Sequence, residues 1–254
     1  MLRIADVEVI GAARSRPAND LRAAAGILGI ASPAVVTAGL PRIPAMAFVH
    51  LRTHSEYSVV DGSLRIDDAI ARARADAQPA LAITDLGNLF GAVKFYGGCL
   101  RAGIKPIVGV DVWMEPLQAH GKGGNGGGNG GGGADKQPSR LLLLVQDAQG
   151  YLNINQLLAL ARTTNAQRAQ AWVKWDWREQ HGEGLIALSG ADGGAIGQAL
   201  LAGDDERASA LAQRLAALFT HRFYIELQRA GLPGNEAHVR AEKPRPDTAQ
   251  GSLF

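Results

Sequence analysis

The sequence predicts an α/β fold. The first observation is that short apolar runs of strand length alternate with stretches of helical spacing from Met46 to Leu227. The second is that one of those runs, Leu141 to Val145, is continuously apolar, as expected of a strand covered on both faces. The third is that polar residues suited to chemistry, His54, Asp61, Asp85 and Asp111, fall at or just after the ends of the expected strands. In α/β sheets and barrels that end of the strands is where functional groups collect. Repeated βα units imply mostly parallel strands with right-handed crossovers.

The elements follow in order. Phe48 to Leu51 reads as a short strand. Leu64 to Ala77 has helical spacing through Leu64, Ile66, Ala69, Ile70 and Ala73. Ala80 to Thr84 is a buried-type strand. Leu89 to Ala102 is a second helix, with Phe90, Val93, Tyr96 and Leu100 roughly on one face. Ile107 to Trp113 and Leu141 to Val145 are the third and fourth strands. Asp147 is placed to cap a helix running through Tyr151, Ile154, Leu157, Leu158 and Ala161. Leu185 to Leu188 is a fifth strand. Asp204 or Asp205 opens an amphipathic helix through Leu211, Leu215 and Leu218, and Phe223 to Leu227 is a sixth strand.

Three segments stand outside this pattern. Residues 1–45 are rich in Ala, Gly, Arg and Pro and lack a sustained period, apart from a weak helical stretch at Ala23 to Ile30. They are expected to be an unstructured extension or a mis-assigned start, with Met46 the natural beginning. Asp6, Glu8 and Asp20 count against a transit peptide. Within residues 119–137, the run GKGGNGGGNGGGG cannot bury apolar surface and is expected to be disordered. It is no phosphate loop, since no Gly-Lys-Ser/Thr follows it. Residues 241–254, with two prolines in EKPRPDTAQGSLF, are expected to be a flexible tail. The domain proper is therefore placed at 46–240.

Composition excludes several classes. A net charge of +2 gives no global basic field of the kind that argues for direct DNA binding. The single cysteine, Cys99, excludes a disulfide framework and a thiolate zinc site. No apolar run approaches the roughly 20 residues that span a bilayer. No secretory signal pattern opens the chain, so a cytoplasmic location is expected.

The stretch FVHLRTHSEYSVVDG carries His50, His54, Glu56 and Asp61, which would suit a metal site, but places Arg52 between the histidines. It is the first of six segments that agree, in order, with one family. The others are PALAITDLGNLFGAVKFYGG, AGIKPIVGVDVW, GYLNINQLLALA, EGLIALSGADGGAIGQALLAGD and RFYIELQRAGLPGNEAHV. Together, over residues 46–240, they resemble the N-terminal PHP (polymerase and histidinol phosphatase) domain of bacterial replicative DNA polymerase III alpha subunits, in its proteobacterial form. The resemblance implies a distorted seven-stranded (β/α) barrel. Here it is expected to lack its last strand, because the family pattern stops after Ala241. In active members a trinuclear metal cluster at the C-terminal rim hydrolyses phosphoesters, using closely spaced divalent ions held by His, Asp and Glu donors.

Carried over position by position, the resemblance implies a degenerate site. The two histidines of the first strand are Arg52 and His54 here, and the following acid is Asp61. The Thr-Asp-His motif reads Thr84-Asp85-Leu86. The glutamate ending the third strand is Asp111. Arg140 stands for a histidine and Ala191 for a cysteine. Only His54, Asp61 and Asp111 remain able to bind metal, so no metal and no cofactor is expected in this chain. The magnesium of the parent polymerase would be bound outside it. A guanidinium is permanently charged and carries five donors. Arg52 and Arg140 are therefore expected to pair with Asp61 and Asp111, replacing the charge of the metal. Left unpaired, clustered carboxylates would repel one another.

The leading expectation for function is a fragment of the replicative polymerase alpha subunit. It would act in DNA replication as a structural and interaction module and would not itself polymerise DNA. The parent family is a DNA-directed nucleotidyltransferase, but its palm carboxylates lie in a part that this sequence does not include. The implied partners are the remainder of the polymerase core and the proofreading exonuclease subunit, with DNA met only indirectly. The alternative is a metal-dependent phosphoesterase or exonuclease with residual activity through His54, Asp61 and Asp111. A third reading rests on Gln250, Leu253 and Phe254, which resemble the short peptide that binds the bacterial sliding clamp; an extended tail suits that mode.

Blander roles are expected elsewhere. His50 is structural, and Asp85 stabilises the turn before Gly87-Asn88. Trp172, Trp175 and Trp177, near Lys174 and Arg178, pack on the barrel or a neighbouring domain rather than stack on single-stranded DNA. Arg162, Arg168 and Lys174 form a solvated face.

Overall fold

The strands are held in one curled sheet whose two faces carry different chemistry. The computed structural model describes residues 7–11 (backbone), 48–116, 138–167, 170–228 and 237. In chain order the strands are β1 (Val7–Gly11), β2 (Ala80–Ile83), β3 (Lys105–Met114), β4 (Ser139–Val145), β5 (Ala166–Gln167), β6 (Gln170–Val173), β7 (Leu185–Leu188) and β8 (Phe223–Gln228). The helices are α1 (Ile66–Ala75), α2 (Ala92–Ala102), α3 (Ala148–Thr164), α4 (Trp177–His181), α5 (Ala195–Leu201) and α6 (Asp205–Leu218). The sheet order is β1-β8-β7-β4-β3-β6-β5, with β2 also paired to β3.

Residue parity explains the two faces. Val110, Val112 and Met114 of β3, Leu141, Leu143 and Val145 of β4, and Phe223, Ile225 and Leu227 of β8 pack into one large core with α3, α5 and α6. The alternate residues point into the concavity, where Ala82, Leu142, Leu144 and Leu188 form a smaller apolar floor. Leu141 to Val145 thus serves both faces, which is why its sequence is continuously apolar. The inward parity of β3 and β8 also brings Asp111 and Glu226 inside, both fully buried.

Several expectations need correction. The sheet is mixed rather than mostly parallel: β4 runs antiparallel to both β3 and β7, while β2–β3, β3–β6 and β7–β8 are parallel. The sequence between β3 and β4 is dominated by GKGGNGGGNGGGG, which carries no apolar helical period of the kind a parallel crossover uses. The first expected strand forms no regular ladder. Residues 48–54 run beside β2, with Ala82 N donating to His50 O and Thr84 N to Thr53 O, each at 2.9 Å. The face of α2 carrying Phe90, Val93, Tyr96 and Leu100 is exposed, and the helix buries Ala92, Phe95 and Cys99 instead. Two apolar stripes compete on that helix, and the one with the smaller Ala92 fits against α1. Within residues 1–45, Val7–Gly11 is a strand antiparallel to β8. That β-branched run is too short to stand out from its surroundings, yet it pairs one edge of β8. The rest of that segment, the whole glycine-rich stretch 119–137 and the 241–254 tail with Gln250, Leu253 and Phe254 lie outside the described residues.

The capping expectations hold. Asp147 accepts from Gly150 N at 2.8 Å and Asp204 accepts from Arg207 N at 3.0 Å. Gly150 is needed for a second reason, because a Cβ there would lie 1.8 Å from the backbone O of Gly184. Gly150→Ala is expected to lower stability by at least about 2 kcal/mol, read as a lower urea midpoint at an unchanged slope. Among the described residues, no helix is long and apolar enough to cross a membrane.

Candidate functional site

Five elements deliver charge to one end of the concavity. Arg52 and His54 come from the extended segment beside β2, Asp61 from the turn that follows, Asp111 from β3, Arg140 from the start of β4 and Glu226 from β8. Because β4 is antiparallel to β3, its first residues stand beside the last residues of β3, with Arg140 opposite Trp113. A parallel β4 would have put Arg140 at the far end of the sheet.

The cations converge on one carboxylate oxygen. Asp111 Oδ2 lies 2.9 Å from Arg52 Nη1, 2.6 Å from Arg140 Nη1 and 3.2 Å from His54 Nε2. Asp61 receives Arg140 Nη2 at 3.2 Å on one oxygen, and His54 Nδ1 lies 3.0 Å from the other. Arg52 also reaches Glu226, with Nε 2.8 Å from Oε1 and Nη2 donating to Oε2 at 3.2 Å. The Arg140 guanidinium stacks on Trp113, 4.3 Å from the ring centroid. With three cations against Asp61, Asp111 and Glu226, the cluster is electrically balanced when all are ionised. The expected pairing of the two arginines with Asp61 and Asp111 is present, and Glu226 joins it.

Sequence reasoning missed Glu226. The signal was there: an acid in a strand whose alternate residues Phe223, Ile225 and Leu227 are apolar must face the other way. Its backbone N donates to Ser189 Oγ at 2.9 Å and its Oε1 accepts from Gln228 Nε2 at 2.9 Å.

The remaining site positions are non-ligating. Leu86 extends the pairing of β2 past its end, bridging to Asp111, and its N donates to Ser58 Oγ at 3.1 Å. Ala191 is buried, with a left-handed backbone at φ 52°. The loop it opens packs on the Arg140 backbone, and Arg140 and Gly194 form an isolated bridge. Asp85 accepts from Ser55 N at 2.5 Å and from Ser55 Oγ at 2.8 Å, so it anchors the turn leading to Asp61. Ser58 Oγ completes that turn by donating to Asp61 Oδ1 at 2.6 Å. His50 Nδ1 lies 2.8 Å from Gln78 Oε1, away from the charged cluster.

The donor set does not fit a metal cluster. The Asp111 oxygen that faces His54 is already shared by two guanidiniums, and a divalent cation placed there would be repelled by both. Among the described residues, no group of three or more His, Cys, Asp or Glu is arranged to hold a metal ion.

Electrostatics follow from this geometry. Burial alone would lower the His54 pKa, but its contacts with Asp111 and Asp61 outweigh burial and raise it to about 9. Burial pushes the Asp111 and Asp61 carboxyls up, and the cations around them bring both below their ordinary value. Burial would likewise lower Arg52, and Asp111 and Glu226 reverse it. Glu226 is pushed upward, first by burial and then by Asp111, against the pull of Arg52.

A raised histidine pKa stabilises the fold below the unfolded value of 6.5, and that contribution is lost as pH rises through about 9. Stability is therefore expected to fall by on the order of 3 kcal/mol between pH 6 and pH 10 from this residue. His54→Gln should flatten that limb in urea titrations across the window. Asp61 and Asp111 act at the acid end: their contribution is present above 3.8 and is lost as pH falls through their lowered values. Glu226 opposes them, since a raised carboxyl favours folding at low pH.

Comparison with known proteins places these residues in context. The family model for the PHP domain matches residues 50–230. The DNA polymerase III subunit alpha of Pseudomonas aeruginosa is 37% identical over 196 residues, covering 77% of this chain and 15% of that protein. The same subunit of Escherichia coli is 37% identical over 198 residues, covering 76% of this chain and 15% of that protein. Among solved structures, a protein from Bifidobacterium adolescentis proposed to be a metal-dependent phosphoesterase matches with a TM-score of 0.30 at 13% identity, over 81% of this chain and 56% of its own. The chain spans about 15% of the length of the polymerase subunits that it matches.

Proposed function

The chain belongs to the PHP domain family, and from that premise we propose that it is a non-catalytic PHP module of a replicative DNA polymerase alpha subunit, in which guanidinium charge takes the place of metal ions. The polymerase relatives support the context. One observation carries the non-catalytic reading: Arg52 and Arg140 both lie within 2.9 Å of Asp111 Oδ2, where a bound cation would have to sit. Two guanidiniums on Asp111 Oδ2 repel a divalent cation from that oxygen, and Oδ1, buried without a hydrogen-bond partner among the described residues, remains beside the same positive charge.

In this reading the charged cluster is a fastener. It ties the segment before β2 to β3, β4 and β8, and closes the concavity that an active relative would leave open to substrate. The module would work in the cytoplasm by supporting the polymerase core and offering surface to the proofreading exonuclease subunit. Gln250, Leu253 and Phe254 would add a contact to the sliding clamp. DNA would be met only through these partners, and the magnesium of polymerisation would be bound elsewhere.

The test is elemental mass spectrometry of the folded protein after dialysis against a weak chelator, with folding confirmed by circular dichroism. Substoichiometric zinc, manganese and iron are expected. Stoichiometric metal that disappears on Asp111→Asn would overturn the reading and revive the phosphoesterase alternative through His54, Asp61 and Asp111.

A further inference from the structure

A second cluster of positive charge lies on the opposite, helix-covered side of the sheet and has no role in the site above. Arg178 of α4 is 2% exposed, and none of its three guanidinium nitrogens has a hydrogen-bond partner among the described residues. Its Cζ lies 3.9 Å from the ring centroid of Trp175. The guanidinium of Arg214, on the exposed face of α6, lies 5.0 Å from the same centroid. Trp175 is itself fixed, with Nε1 donating to Glu115 O at 2.9 Å.

Stacking on an indole uses the flat face of a guanidinium and none of its five in-plane donors. An arginine buried this deeply is ordinarily paired, because an uncompensated charge is costly. The nearby acids Asp176 and Glu179 are exposed; they attract Arg178, but without a hydrogen bond to any of its guanidinium nitrogens. Burial, reinforced by the neighbouring Arg214, pulls the Arg178 pKa down to about 9. Two like charges therefore share one aromatic ring with no counter-charge in contact among the described residues. Such an arrangement is stable when an anion supplies the missing acceptors.

We propose that Arg178, Arg214 and Trp175 form a binding site for a phosphate group, free or carried on a nucleotide. Paired guanidiniums present donors in forks that match phosphate oxygens bidentately, and their combined charge suits a dianion better than a single carboxylate. Arg178 would hold the inner oxygens. Arg214, bordering solvent, would close over the outer ones and is the residue that must swing aside for entry.

The experiment uses the full chain at constant ionic strength. Inorganic phosphate binding is followed by 31P line broadening and by calorimetry, with acetate and chloride as controls and a nucleoside monophosphate as a second ligand. Saturable phosphate binding is expected, weakened by roughly tenfold or more by Arg178→Met and by Arg214→Ala, the loss of a charge-assisted contact. In phosphate-free buffer Arg178→Met should melt above the wild type, since it removes an unpaired buried charge, and added phosphate should narrow that gap. Tighter binding of the nucleotide would identify a phosphorylated ligand, and equal binding the free ion. No saturable binding, an equal response to acetate, or a response unchanged by the substitutions overturns the proposal. Arg214 is exposed, so its variant keeps the test decisive if Arg178→Met fails to fold.

Discussion

Arg52→Met is expected to destabilise the protein by about 3–5 kcal/mol, the cost of breaking a buried ion pair by removing one partner. The substitution keeps most of the side-chain volume, so the loss is electrostatic rather than a cavity. It strands Glu226, which is fully buried and has no other cation on it among the described residues, and takes one of the cations from Asp111. Equilibrium urea unfolding followed by circular dichroism measures it. Arg52→Lys is expected to fall between the two, because an ammonium restores the charge but cannot serve Asp111 and Glu226 with one planar fork. A Met variant within about 0.5 kcal/mol of wild type, the range of ordinary surface changes, would mean that the cluster is not the fastener proposed. The double variant Arg52→Met/Glu226→Gln should recover part of the loss, since replacing both partners avoids the stranded charge.

Asp111→Asn should cost a similar amount, about 3–5 kcal/mol, with an added spectroscopic signature. It leaves Arg52, Arg140 and His54 facing one another around a neutral amide. His54 then keeps Asp61 in contact and Asp85 at longer range as counter-charges, so its pKa should drop from about 9 toward 6.5. The alkaline loss of stability would move down with it, to begin nearer neutral pH. Two-dimensional NMR of the imidazole resonances across pH 5 to 10 reads the shift directly. A His54 pKa left near its wild-type value would place the dominant partner elsewhere, on Asp61.

Much of the site is legible in the sequence. Arg52, Arg140, Asp61 and Asp111 stand where a resemblance to PHP domains puts metal ligands, and charge complementarity alone required the arginines to find acids. Glu226 was harder. Its parity within FYIELQ marked it as inward-facing, but nothing local said that the inward face of β8 would meet Arg52, 174 residues away in sequence. The exposure of Phe90 and Val93 was likewise hidden, because hydrophobic periodicity reports that a helix has an apolar face and not which of two faces will be covered. The Val7–Gly11 strand carried a β-branched run of only a few residues, too little to read until β8 offered an edge to pair with.

What the sequence by itself determined is local. It set the helix starts at Asp147 and Asp204, the strands β2, β3, β4, β7 and β8 within a few residues, and the presence of fixed positive charge among the acids. These depend on spacing, side-chain type and neighbours within a few positions. What only the tertiary structure decided is direction and meeting. The reversal of β4 brings Arg140 to the end of the sheet where Asp111 lies. The curl of the sheet carries Glu226 to Arg52, and the burial of Trp175 in the helix-covered core brings Arg178 of α4 and Arg214 of α6 to one indole. Those outcomes depend on how strands separated by tens of residues pair and curve, and strand pairing is set by the joint packing of both sheet faces, a property that no single stretch of sequence contains.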